Sequence, residues 1–298
     1  MSVDLSNVVA IQNEKQESVI GYLTWHSLGQ QLIQRDELRR KLNEAGLDSG
    51  WLPNEIRPSD AFRRATKEVE SKTSVPENGV FKNYLVREVF SDKKTVHRKI
   101  VCETVDPKGR RLDYNESAIL TLDKVSNQFD FVSFDDVARN LAREAEERFF
   151  LYRDNYAAPH IRAMIMWILK SLSPTPVRPH GGVYFIPSAH ARQLGRLCRF
   201  VSELENGEAF QVPLLNTHDN RQMIYEKLKQ HLEKVLGECH SGMNGNLTKS
   251  QLKETIEEAK RIIKDYRYYK TVVTEDVDKI EQSVSMLHGS VAEMMASL

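Results

Sequence analysis

The sequence predicts an α+β protein: an antiparallel β-meander packed with helices, followed by a C-terminal helical hairpin or coiled-coil arm. Three observations carry this. Between Val80 and Phe134, four runs of alternating character are separated by short polar turns, the pattern of antiparallel strands joined as hairpins. Around that stretch the apolar residues recur at three and four positions instead of two, the period of helices. From Leu252 to the last residue the helical recurrence keeps one phase, as in a coiled-coil seam.

The elements follow in order. Ser18 to Ser27 (SVIGYLTWHS) is aromatic and β-branched and reads as a strand. Arg35 to Ala45 reads as a helix with Leu38, Leu42 and Ala45 on one side and Gly46 as its stop. Ser59 is the expected N-cap of the next helix, which carries Phe62, Ala65 and Val69. Residues 71–79 (SKTSVPENG) read as a loop.

The meander comprises Val80 to Phe90, Thr95 to Val105, Arg110 to Leu122 and Asn127 to Phe134. Two helices are expected from Asp135 to Tyr156 and from Ala158 to Leu172, the second with Pro159 near its start. A loop, residues 173–182, leads into a short strand at Val183 to Ile186. A helix opening at Pro187 and Ser188 follows, then a strand from Glu208 to Leu215.

The C-terminal third opens with Asp219 and Gln222 at capping-box spacing. Leu247 and Leu252 have the spacing of a hydrophobic staple around a second capping box, Thr248 with Gln251. The seam then runs through Leu252, Ile256, Ala259, Ile263, Tyr266, Lys270, Val273, Val277, Ile280, Val284, Leu287, Val291, Met294 and Leu298. Unbroken, that helix would reach roughly 70 Å at 1.5 Å per residue. The β-branched stretch Thr271 to Thr274 leaves a kink or tight hairpin open, with Thr274 as a fresh cap.

Bulk properties narrow the function classes. With 298 residues the chain has room for one large domain or a few smaller ones. The expected division is 1–75, 76–216 and 217–298. Forty-two basic residues balance forty-two acidic ones, so a nucleic-acid partner would need a local patch. The first residues have neither the basic start nor the apolar run of a signal peptide. The apolar run Ala163 to Leu169 falls short of the roughly 20 residues of a membrane span. Three isolated cysteines without CxxC spacing point to neither a disulfide framework nor a zinc site. The expectation is a cytoplasmic protein with no membrane partner.

No catalytic signature emerges. The histidines form no metal-binding spacing, and there is no GxSxG or local Cys–His pattern. No cofactor, metal ligand or catalytic residue is assigned, and a non-enzyme is favoured. Asp130, Asp135 and Asp136 cluster, but an Asp before a helix ordinarily caps it. Arg178, His180, Gly181 and Gly182 form a candidate phosphate loop, weighed against a plain hairpin turn, since phosphate loops normally open a helix. Lys93, Lys94, Arg98, Lys99, Lys108, Arg110 and Arg111 gather toward the meander's turns and are a candidate nucleic-acid surface, weighed against solubilising charge on sheet edges. Arg261 to Lys270 adds a basic, aromatic stretch suited to partner contacts.

Two strings, Arg57 to Thr66 (RPSDAFRRAT) and Gly181 to Pro187 (GGVYFIP), carry a resemblance. In this order, after the opening strand at Ile20 to Trp25, they resemble a family of bacterial, archaeal and phage proteins known only as a domain of unknown function. The resemblance covers residues 18 to 206 and leaves the C-terminal helix outside. It implies a prokaryotic or phage setting and transfers no functional residue. Regulators and inhibitors of host complexes are common in that setting. The favoured expectation is therefore a non-enzymatic interaction protein that assembles as a homo-oligomer through Leu252, Ile256, Ile263, Tyr266, Val273, Val277, Ile280, Val284, Leu287, Val291 and Met294. The alternatives are nucleic-acid binding by the hairpin tips and an enzyme with a phosphate or metal site.

Overall fold

The structure is a computed structural model that describes residues 19–75, 80–179, 181–270, 272–273 and 277–296. It is α+β, as the sequence predicts. The first elements are β1 (Val19–Leu28), β2 (Leu32–Gln34), α1 (Arg35–Glu44), α2 (Pro58–Glu68) and β3 (Ser71–Val75). The meander continues with β4 (Val80–Ser91), β5 (Thr95–Val105), β6 (Arg111–Asp123) and β7 (Gln128–Ser133). Then come α3 (Asp136–Asp154), β8 (Asn155–Ala157), α4 (Ala158–Lys170), β9 (Thr175–Pro176), β10 (Tyr184–Pro187), α5 (Ala191–Ser202) and β11 (Gly207–Leu215). Three helices close the chain: α6 (His218–Met243), α7 (Lys249–Tyr269) and α8 (Val277–Ala296).

The chain divides into two compact units. One comprises residues 30–40 and 52–161; the other takes the start of the chain, residues 41–51 and everything from Arg162 onward. The first holds the meander, a five-stranded sheet in the order β3-β4-β5-β6-β7. The three turns that join β4 to β7 share one device, an Asp whose side chain accepts from backbone N–H groups a few residues on. Asp92 accepts from Lys94 and Thr95, Asp106 from Lys108 and Arg110, and Asp123 from Val125 and Ser126. Alternate residues Ala118, Leu120 and Leu122 turn inward, and α2 and α3 contribute Phe62, Ala138, Ala142, Ala145 and Phe149 to the same core. Phe62 meets Phe129 and Phe149 edge-on, with ring centroids 5.3 and 6.4 Å apart.

Three local expectations are corrected in these elements. Residues 71–75, expected in a loop, form a fifth strand paired with β4, because backbone pairing to an exposed edge outweighs a polar composition. Residues 76–79 of that expected loop lie outside the described residues. The N-cap of α2 is Arg57, with Pro58 in the first turn and no side-chain cap, rather than Ser59. Between α3 and α4 the chain extends for three residues as β8, which pairs with β2.

The second unit is built on a four-stranded antiparallel sheet, β11-β1-β10-β9. Gly21 is required where β1 crosses β10: a Cβ there would lie 2.4 Å from the Ile186 carbonyl oxygen and 2.5 Å from the Phe185 ring. Helices α6, α7 and α8 share a core with Ile20, Phe185 and Leu214 of the sheet. The N-cap of α6 is Thr217, which accepts from the Asn220 N–H, so the expected Asp219–Gln222 box is a misplaced start. The Thr248–Gln251 box at the head of α7 is present with both of its hydrogen bonds.

The 70 Å helix is not formed. α7 ends at Tyr269 and α8 begins at Val277, with Lys270 of the one reaching Glu281 of the other at 2.8 Å. The hairpin left open by the β-branched stretch is what forms; its proposed cap, Thr274, lies outside the described residues. The seam residues Ile256, Val273, Ile280, Leu287, Val291 and Met294 are buried in the chain's own core, with Leu252, Ile263, Tyr266 and Val284 packed against it. Val277 is half-buried at the head of α8. An in-phase heptad pattern is satisfied equally by a partner chain or by a neighbouring helix of the same chain, and here α6 supplies that neighbour. Among the described residues no helix is long and apolar enough to cross a membrane.

Candidate functional site

The second unit holds a cleft of about 840 Å³, within the range of ligand sites. Its walls come from α6 and α7, from the end of α4, and from the loop of residues 174–184. The two helices are antiparallel neighbours joined by a short connection, and His231 Nε2 lies 3.2 Å from Glu258 Oε1 between them. The loop is held from below by Tyr269. Its buried hydroxyl donates to the Ser173 carbonyl at 2.6 Å and accepts from Thr175 Oγ1 at 2.7 Å, and burial pushes the phenol's pKa far up.

Side chains on one face of α6 enter the cleft at helical spacing: Lys227, His231, Lys234 and Glu238. Glu254, Glu258 and Arg261 do so from α7, and Lys170 from the last turn of α4. Arg178 and Gly181 enter from the loop. Five cations thus face three carboxylates. Glu258 is held down at about 2 by the hydrogen bond from His231, with Arg261 and Lys170 adding to it against the desolvation of its site. It is therefore ionised at neutral pH and pairs with Arg261, 3.2 Å away. Lys234 faces Glu238 at 3.7 Å, and Lys227 donates to Gln230. Lys170 and Arg178 have no ion-pair partner among the described residues.

Of the expected phosphate loop, the structure brings Arg178 and Gly181 into this cleft; Gly182 stands beside them and His180 lies outside the described residues. The loop is also the hairpin turn weighed against that role. Gly181 N donates to Arg178 O, Val177 N donates to Val183 O, and Tyr184 pairs with Pro176. Both glycines have left-handed φ, +73° and +85°, which side chains with a Cβ rarely adopt.

The expected nucleic-acid residues are dispersed. Lys93 and Lys94 sit at the β4–β5 turn, and Lys108 and Arg110 at the β5–β6 turn. An eleven-residue strand puts these ends about 35 Å apart at ~3.3 Å per residue. Arg98 points inward, donating to the Arg63 carbonyl at 2.8 Å and to Thr66 Oγ1 at 2.5 Å. Lys99 pairs with Glu116, and Arg111 with Glu103. Asp135 caps α3 through the Ala138 N–H, and Asp136 pairs with Arg139. No group of three or more metal-ligating side chains occurs among the described residues.

The cleft residues without a role in the sequence expectations are Lys170, Lys227, Lys234, Glu238, Glu254 and Glu258. Their one sequence signal is the seven-residue repeat of Lys227 and Lys234 around His231, which shares a helix face. Lys170 and Arg178 meet that face only through the tertiary fold.

A family model matches residues 19–298. The chain belongs to DUF6744, a family of unknown function. The DUF6744 match extends past the residues that carried the sequence resemblance and takes in α6, α7 and α8, so every cleft residue named above lies inside it. No curated protein and no solved structure matches the chain.

Proposed function

We propose that this DUF6744 protein acts by binding, and that the cleft beside α6 and α7 takes a phosphate-bearing ligand. One observation carries the reading: Lys170 and Arg178, without an ion-pair partner among the described residues, share a cavity with the left-handed Gly181. A lysine and an arginine converging on one cavity are groups that recognise phosphate. The cleft also exceeds what Arg261 and Lys234 need for their own carboxylates.

Titration calorimetry with sodium tripolyphosphate tests this. Binding is expected at low ionic strength, weakening toward about 0.15 M salt as screening shortens to ~8 Å. Lys170→Glu and Arg178→Glu should each abolish it, and Lys108→Glu should leave it intact. Absence of heat at low salt, or equal loss from Lys108→Glu, ends the proposal.

The interaction protein expected from the sequence has a separate support in the same unit. Trp25 of β1 and Phe210 of the edge strand β11 stack at 5.1 Å and are 36% and 45% exposed, with Val212 beside them. Exposed aromatics on an unpaired edge suit self-association. Sedimentation that gives a monomer across a wide concentration range would remove the homo-oligomer from consideration.

A further inference from the structure

The cleft's charges can be ordered along α6 and α7. The His231–Glu258 contact fixes the register of α6 against α7. From that point toward the start of α6 stand Lys227 and, on α7, Arg261; Lys170 adds its charge beside Glu258. In the other direction stand Glu238 of α6 and Gln251 and Glu254 of α7. Lys227 to Glu238 spans eleven helical positions, about 16 Å at 1.5 Å per residue. Lys234, midway, is turned to Glu238. Glu254, level with Lys234 in that register, has no partner among the described residues and keeps a free carboxylate.

A bare phosphate would use one end of this cleft and leave about 840 Å³ mostly unfilled. The complementary ligand is elongated, with several negative charges at its head and paired hydrogen-bond donors at its tail. A nucleoside triphosphate has that form, and its base decides the fit to a carboxylate. Guanine presents two adjacent donors, N1–H and the N2 amino group, which a carboxylate accepts side by side, as it accepts a guanidinium. Adenine and cytosine place a ring acceptor beside their amino group, which a carboxylate repels. Uracil offers one donor between two carbonyls.

We propose that the cleft binds a guanine nucleoside triphosphate, phosphates toward Lys170, Arg178 and Lys227 and the guanine edge on Glu254. This rests on the phosphate reading above and adds the identity of the base. The full chain is titrated with GTP, ATP, UTP and tripolyphosphate at low salt. GTP is expected to bind at least about ten-fold more tightly than the other three, a free-energy gap of ~1.4 kcal/mol. Glu254→Gln should bring GTP to the level of ATP and leave tripolyphosphate unchanged, since Glu254 is exposed and its amide replacement keeps the fold. Lys170→Glu should weaken all four. Tripolyphosphate binding as tightly as GTP, ATP binding more tightly than GTP, or Glu254→Gln leaving GTP affinity unchanged overturns the guanine assignment while the phosphate cleft stands. No binding of any of the four at about 1 mM overturns both.

Discussion

Lys270 Nζ lies 2.8 Å from Glu281 Oε1. The one lysine in the otherwise apolar seam therefore ties the end of α7 to the second turn of α8, across the hairpin that divides the seam. Both side chains are about half exposed, and exposed pairs contribute little. Lys270→Ala should leave the urea midpoint unchanged. Ile280→Ala and Leu287→Ala remove side chains that are 1% and 0% exposed and should each cost about 2–5 kcal/mol. Equal, small effects of all three would show that this core does not hold the unit.

Arg98 offers a sharper contrast within the meander. Its guanidinium is largely buried, with Nη1 donating to the Arg63 carbonyl and Thr66 and Nε left without a hydrogen bond, and desolvation lowers its pKa. Arg98→Ala strands those acceptors and should cost about 1–3 kcal/mol. Lys93→Ala, Lys108→Ala and Arg110→Ala, at the exposed turns, should lie within about 0.5 kcal/mol of the parent. Urea denaturation of the four variants checks the ranking.

Glu258 makes stability pH-dependent in acid. Its folded pKa of about 2 lies below the ordinary carboxylate value, so the unfolded chain binds its proton first as pH falls. The stabilisation is fully present above about pH 4.5 and is lost as pH drops toward 2, amounting to on the order of 2 kcal/mol. Glu258→Gln should flatten the urea midpoint against pH in that window. A parallel curve for parent and variant would mean that the His231 contact is not formed in solution.

Two glycines should respond in opposite directions. Gly21→Ala places a methyl against the Ile186 carbonyl and the Phe185 ring, so β1 and β10 must separate at a cost of about 1–3 kcal/mol. Gly237 lies within α6 with nothing near its missing Cβ; Gly237→Ala should stabilise by up to about 1 kcal/mol through helix propensity. Thermal melts of the two variants separate these outcomes.

Much of the architecture is legible in local patterns. Strands β4 to β7 announce themselves because each turn carries an Asp that closes it through its own side chain, a short-range device visible in Asp92, Asp106 and Asp123. The Thr248–Gln251 box is legible for the same reason. What escaped was settled at longer range. Polar β3 is a strand only because the edge of β4 is there to pair with it, and β2 and β8 are three residues each, too short to show a period.

Local spacing specifies the α+β class, the hairpins from β4 to β7, the start of α7 and the phase of the apolar stripe that follows, since these depend on neighbours a few residues apart. Long-range packing sets what that stripe is buried against. Phase specifies a face, and burial of that face is equally favourable against another chain or against α6; the break between Tyr269 and Val277 directs it inward. The same folding brings Lys170, Arg178, Lys227 and Arg261 from four separate segments into one cleft. Charge convergence of that kind has no period along the chain, so it becomes visible only once the helices are placed.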